Sequence, residues 1–235
     1  MNKEILDQHF MIDNSLIKRI IGYSELKEKD VVLEIGPGKG VLTDKILEQA
    51  RVIAVELDKD LYYELKDKYK ENSNIRLINS NALKEILKWD FNKIVSNIPY
   101  SISEPLIIKI LIKQPEIVVI TTGINFKTYL EANKLLNMLY EYEIKEEVPK
   151  KSFYPSPNTE SIVVKLKLKH TKESGLFKEL LVQYDKKLKN ALINIFNGKF
   201  TKNQVRDKIS SFKSKNKSIL NMPDEEIDSL TKIFC

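Results

Sequence analysis

Hydrophobic positions along the chain alternate between short apolar runs and helical stripes, and that alternation predicts the architecture. Val31–Ile35, Val52–Val55, Ile75–Ile78, Lys93–Ser96 and Ile117–Thr121 are short, largely apolar runs, the pattern of strands covered on both faces in a parallel sheet. Between them lie stripes at helical spacing. Leu16, Ile17, Ile20 and Ile21 follow Asp13 or Asn14 as a cap and end at Gly22; further helices are expected over Val41–Ala50 and Leu61–Tyr69. A helical segment over Phe126–Leu139 and strands near Tyr142–Val148 and Ser161–Leu168 complete this part. The pattern then changes. Leu176, Phe177, Leu180, Leu181, Tyr184, Leu188, Leu192 and Ile195 recur as one amphipathic helix that Gly198 would end. A basic helical segment follows, then a short helix from about Pro223. The expectation is an open, mostly parallel α/β sheet in residues 1–169 and a small basic helical domain in residues 170–235.

Composition narrows the class. In 235 residues, 42% hydrophobic and 31% charged content describes a globular chain with no disorder signature. Cys235 is the only cysteine, which points to an intracellular, cytoplasmic protein without disulfides. His9 and His170, the only histidines, make no zinc cluster. Met1-Asn2-Lys3-Glu4 lacks the apolar core of a signal peptide, and no run approaches the ~20 apolar residues of a membrane helix. Neither a metal nor a membrane is expected. The formal net charge is +6, and residues 170–235 carry thirteen basic against eight acidic side chains. Between Lys199 and Lys217, seven basic residues face Asp207 alone. Such a stripe is either a solvated helix face or a grip on a polyanion, and a second signal is needed to choose.

That signal comes from the strand ends. Val31–Ile35 runs into Gly36-Pro37-Gly38-Lys39-Gly40, where glycines allow close approach of backbone to a ligand. The dinucleotide fingerprint would want glycine where Val41 stands; the G-x-G-x-G form is instead similar to the loop of S-adenosylmethionine-dependent methyltransferases. Glu56 ends the next strand, twenty positions after Gly36, where an acid can accept both hydroxyls of a ribose. Asn81 follows the third strand, placed to meet an adenine amine. The fourth delivers Asn97-Ile98-Pro99-Tyr100: an amide carbonyl to accept from an amino group, a proline that withholds its N–H, and a flat aromatic face. Later, Ser152-Phe153-Tyr154-Pro155-Ser156-Pro157 presents aromatics on a stiffened loop, with Phe153 as candidate second stacking face.

Taken together, these stretches resemble the rRNA adenine dimethyltransferase family of the KsgA type over nearly the whole chain. The resemblance rests on Gln8-His9-Phe10-Met11-Ile12-Asp13, Leu33-Glu34-Ile35-Gly36-Pro37-Gly38, Val55-Glu56-Leu57-Asp58, Asn97-Ile98-Pro99-Tyr100, Val148-Pro149 with the Phe153 loop, and Lys186–Leu192. It implies a Rossmann-like class I methyltransferase sheet and S-adenosyl-L-methionine held by His9, Met11, Gly36, Gly38, Glu56, Leu57, Asn81 and Asn97. It also implies catalysis by Asn97, Pro99 and Tyr100, with Tyr100 and Phe153 sandwiching the base. Lys150, Lys151, Lys199, Lys202, Arg206 and Lys208 become the candidate RNA contacts. The implied activity is dimethylation of adenines in small-subunit rRNA by a monomer acting on an assembly intermediate. A resistance-type enzyme modifying large-subunit rRNA, and a catalytically weak assembly factor on the same fold, are the alternatives. Three departures stand out. Asn81, a weaker neutral acceptor, replaces the family's aspartate, Thr121–Lys127 replaces its Gln-Lys-Glu segment, and Lys150-Lys151 adds charge just before Ser152.

Overall fold

The computed structural model describes residues 8–235, so the Met1–Glu4 stretch lies outside the described residues. The strands are β1 (Phe10–Met11), β2 (Val31–Ile35), β3 (Arg51–Glu56), β4 (Ile75–Asn79), β5 (Lys93–Asn97), β6 (Ile117–Gly123), β7 (Tyr140–Val148), β8 (Phe153–Tyr154) and β9 (Ser161–Leu168). Seven of them form one sheet in the order β4-β3-β2-β5-β6-β9-β7. β2 to β6 pair in parallel, and β9 runs antiparallel to both neighbours. β1 and β8 make a separate two-stranded antiparallel sheet.

The apolar runs are continuous because both sheet faces are covered, and each strand's alternation sorts its residues between two core layers. Val32, Val52, Ala54, Val95 and Val119 point into one layer, which the helices α1 (Asn14–Tyr23) and α2 (Val41–Leu47) cover with Leu16, Ile20, Leu42 and Ile46. Leu33, Ile53, Val55, Ile94 and Val118 point into the other. α3 (Lys59–Lys68) packs on β3 and β4. Beyond the fourth helix, α4 (Ala82–Glu85), the second layer is closed by α5 (Ser103–Lys113), α6 (Phe126–Ala132) and α7 (Lys134–Leu139). α8 (Lys172–Val182), α9 (Leu188–Ile195), α10 (Lys202–Lys208) and α11 (Asp224–Phe234) join the same layer: Phe177, Leu180 and Leu192 belong to one hydrophobic cluster with Ile107 and Ile120.

Besides α2, which stops at Leu47, and α3, which starts at Lys59, three expected helices differ in extent. α1 continues through Gly22 to Tyr23, with Asp13 as the N-cap. The Phe126–Leu139 segment is broken at Asn133, whose side chain accepts from the Leu136 N–H at 2.9 Å and starts a second helix. The single helix expected to Ile195 is two. Carbonyls of Lys217 and Lys215 accept from the N–H groups of Leu188 and Lys189 at 2.8 and 3.1 Å. They satisfy the orphan donors of a new helix start, contacts from 29 and 26 residues downstream that no local pattern announces.

Below the sheet, Lys93 and Asp30 form a buried ion pair at 2.8 Å. Asp30 also accepts from Asn92 Nδ2 and the Lys27 N–H, both at 2.8 Å, and Lys93 donates to the Ser24 and Glu25 carbonyls. This network pins the loop after α1 to β2 and β5.

Candidate active site

The strand order reverses between β2 and β5, and ligands of open α/β sheets bind at the carboxyl ends beside such a reversal. A cavity of about 450 Å3 opens there. Its floor is the glycine turn. Gly36, Gly38 and Gly40 all have positive φ (64°, 59° and 79°), a backbone that side-chain-bearing residues rarely adopt. A Cβ on Gly38 would lie 3.0 Å from the Phe10 ring, so the turn is a close cradle between β1 and the sheet. Glu56 reaches into it from the end of β3. One of its carboxylate oxygens accepts from the Gly38 N–H at 3.0 Å, the other from the Asp58 N–H at 2.9 Å. Burial nevertheless pushes its pKa up, against those backbone donors. Each oxygen keeps acceptor capacity for a hydroxyl.

Glu34, two residues before the turn, lines the same cavity but is 1% exposed. Thr43 Oγ1 bonds its Oε2 at 2.5 Å. Burial raises its pKa to about 8, with the Glu56 and Asp44 carboxylates adding to the rise. In the sequence Glu34 belongs to the cofactor-loop motif without a role of its own; its burial is what singles it out. Leu57 is half-exposed on the cavity rim.

Asn97 stands at the last position of β5. Its Nδ2 donates to the main-chain carbonyl of His9 at 2.8 Å. A carbonyl can only accept, so the amide nitrogen must face β1 and the Oδ1 faces the other way. The arm that precedes α1 therefore sets the orientation of the candidate catalytic amide. Pro99 contributes no N–H, and its carbonyl is taken by the Ile102 N–H at 3.1 Å. Tyr100 is half-buried on the cavity wall. Its hydroxyl meets Ser161 Oγ at 2.5 Å, and its ring lies against Gly123, where a Cβ would stand 3.0 Å away. Ser161 and Gly123 are two further site residues that sequence reasoning missed. Gly123 falls inside the segment that departs from the family pattern.

His9, Met11, Gly36, Gly38, Glu56, Leu57, Asn81, Asn97, Pro99 and Tyr100 all line this cavity. Asn81 is placed differently in chemistry. Its Oδ1 caps α4 by accepting the Leu83 N–H at 2.9 Å, and only its second lone pair is left for an adenine amine. Phe153, the candidate second stacking face, is 3% exposed and packs with Met11, Ile17 and Val148 in the core. Tyr154, its neighbour, lines the cavity instead. The reason is the pairing of β8 with β1, which turns alternate side chains to opposite faces.

The six candidate RNA contacts fall in two places, all exposed. Lys150 and Lys151 occupy a 3-10 turn just before β8. Lys202, Arg206 and Lys208 lie on α10 and Lys199 just before it; Lys199 and Lys208 approach the Phe200 ring at 5.8 and 5.0 Å. Among the described residues no helix is long and apolar enough to cross a membrane, and no three His, Cys, Asp or Glu side chains gather as a metal site.

The sheet order and this cavity define a Rossmann-like α/β fold of the class I methyltransferase type. Solved structures agree. A dimethyladenosine transferase from Plasmodium falciparum matches with a TM-score of 0.67 at 25% identity, covering 96% of this chain and 97% of that one. The 23S rRNA methyltransferase ErmE shares the fold with a TM-score of 0.63 at 22% identity, covering 95% and 98%. The sequence model of the ribosomal RNA adenine dimethylase family matches residues 1–228. A probable ribosomal RNA small subunit methyltransferase A of Pyrococcus abyssi is 32% identical over 96% of this chain and 89% of its own. One from Methanococcoides burtonii is 35% identical over 80% and 76%. The chain belongs to the ribosomal RNA adenine dimethylase family and is accordingly an rRNA-modifying methyltransferase.

Proposed function

We propose that this protein dimethylates the exocyclic amino group of adenines in small-subunit rRNA, with S-adenosyl-L-methionine as methyl donor, as a step of subunit assembly. The observation that carries the reading is the Asn97 amide, locked by the His9 carbonyl so that its Oδ1 is left to accept. The cavity fits the cofactor: a cradle that a Cβ on Gly38 would fill, a buried Glu56 carboxylate for ribose hydroxyls, and the apolar Leu57 and Ile98 beside them. When bound, the cofactor supplies an electrophilic sulfonium methyl.

The protein's part is orientation. The lone pair of an aromatic amine is delocalised into the ring, so the nitrogen is a weak nucleophile. Asn97 Oδ1 and the Ile98 carbonyl are the acceptors that would hold its two hydrogens and free the lone pair. Tyr100 would give the base a wall, itself fixed by Ser161 and Gly123. Proximity and alignment of this kind supply several kcal/mol of barrier lowering. No side chain need form a covalent bond. To reach the pocket the base must leave its stack or already lie unstacked. Lys150 and Lys151 near the mouth, and the basic helices of residues 170–235 as a second grip, provide positive charge for phosphates.

The test is transfer of labelled methyl groups to undermethylated small and large ribosomal subunits, followed by identification of the labelled nucleoside. Dimethyladenosine in the small subunit is the expected product. Label confined to the large subunit would reassign the substrate, and tight binding without label would make the protein an assembly factor.

A further inference from the structure

We propose that Tyr69 is a positioning residue for the cofactor, holding the glycine turn in its binding shape from behind; this deepens the reading above and rests on it. The turn has little shape of its own. Gly36, Gly38 and Gly40 all sit at positive φ, and glycine loses more backbone freedom on ordering than any other residue. Contacts from outside must therefore fix it. Its first half is fastened to β3: the Gly36 N–H donates to the Val55 carbonyl at 2.9 Å, and the Gly38 N–H to Glu56 at 3.0 Å. Its second half leads into α2, whose N-cap, Gly40, has no side chain with which to cap the helix.

That second half is held by the end of α3. Tyr69 is 8% exposed and stands outside the cavity lining. Its hydroxyl hydrogen is shared between the Gly40 carbonyl at 3.1 Å and Asp44 Oδ1, in the first turn of α2, at 2.7 Å. The fit leaves no slack. A Cβ on Gly40 would run into that hydroxyl oxygen and lie 3.1 Å from Leu65, one helical turn before Tyr69. The neighbouring Lys68 donates to the Lys39 carbonyl at 3.4 Å and pairs with Asp44 Oδ2 at 2.7 Å. Both members of that pair are more than 40% exposed, so solvent and salt screen it and it contributes little. The buried hydroxyl carries the hold.

α3 thereby joins the two halves of the cofactor site. Its N-cap is Asp58, whose N–H donates to the Glu56 carboxylate at 2.9 Å, and its C-cap is Tyr69 on the glycine turn. One ten-residue helix sets the separation between the acid for the ribose hydroxyls and the turn. Losing the Tyr69 hydroxyl releases only the turn. The turn must then be ordered at the moment the cofactor binds, so affinity falls by the cost of that ordering. The bound arrangement is the same once formed, so the loss is one of uniform binding and kcat does not change.

The experiment is calorimetric titration of the full chain with S-adenosyl-L-homocysteine, well below the melting temperature of every variant. Tyr69→Phe, which keeps the buried ring, should weaken binding about tenfold, the scale of one lost hydrogen bond to a charged acceptor. In methyl transfer it should raise KM for S-adenosyl-L-methionine by the same factor, with kcat and KM for RNA unchanged. Lys68→Gln should bind within about twofold of wild type at about 0.15 M salt. In a Gly40→Ala background, where the methyl group has already displaced the hydroxyl, Tyr69→Phe should add no further loss. Wild-type affinity in folded Tyr69→Phe, however far its melting temperature falls, would make the hydroxyl a merely structural contact and overturn the inference. A lower kcat with KM unmoved, or equal losses from Tyr69→Phe in the two backgrounds, would overturn it too. A wild type that binds no S-adenosyl-L-homocysteine would overturn the cofactor reading as well, whereas binding without methyl transfer would overturn only the substrate reading.

Discussion

The Asn97 side chain shows how one hydrogen bond turns an ordinary amide into a directed acceptor. Removing it in Asn97→Ala should lower methyl transfer by about 100-fold or more, the scale of losing a preorganised polar group at a reacting centre, while the melting temperature stays close to wild type. Unchanged transfer would show that the amine is held elsewhere. Glu34 makes a different prediction. Its pKa rises from an ordinary 4.5 to about 8 because burial disfavours the carboxylate. Between those values the folded state holds a proton that the unfolded state has released. Stability of the ligand-free protein should therefore be full below about pH 4.5 as far as Glu34 is concerned, and fall as pH rises toward 8. Glu34→Gln should flatten that fall in a series of chemical melts. The glycine turn and Glu56 were legible in the sequence because backbone permissiveness and charge are properties of residue types. Glu34, Gly123 and Ser161 were not, because their roles come from what packs against them.

Among the elements, the parallel strands were legible nearly to the residue, since burial on both faces leaves a continuous apolar run. Helix breaks were not. Asn133 looks like any polar position in a helix until its side chain caps the next one, and the start of α9 is satisfied by carbonyls from residues 215 and 217. β1 and β8 are two residues each, too short for any periodicity, so the exposure of Phe153 could not be read from its loop. The loop beneath the sheet hangs on the Lys93–Asp30 pair. Lys93→Ala leaves a buried carboxylate without its cation and should cost about 3–5 kcal/mol in urea unfolding. A loss under 1 kcal/mol would mean that Asn92 and the Lys27 N–H suffice.

For the molecule as a whole, the division at residue 170 is a change of pattern more than a break in the core. The helices from α8 onward share one apolar cluster with α5 and the sheet. A fragment ending at residue 169 would expose Ile107 and its neighbours. We expect it to lack a cooperative thermal transition and to aggregate; a soluble, cooperatively melting fragment would establish two independent domains. The basic face of the helices is tested by charge. Replacing Lys199, Lys202, Arg206 and Lys208 by glutamine should weaken RNA binding and reduce the slope of log affinity against log salt by roughly 3, since each phosphate contact contributes about 0.7–0.9. An unchanged slope would mean that these side chains are merely solvated.

The sequence by itself determined the sheet, the strand ends that line the cavity and the family, because each rests on local facts: burial pattern, positive-φ glycines, and residue types at fixed spacing. The tertiary structure alone decided which atoms point where. Pairing of β1 with β8 buries Phe153 and presents Tyr154, the His9 carbonyl turns Asn97, and helix capping directs the Asn81 carbonyl. Each of these outcomes depends on a partner distant in the chain, and side-chain direction is set by that partner's geometry.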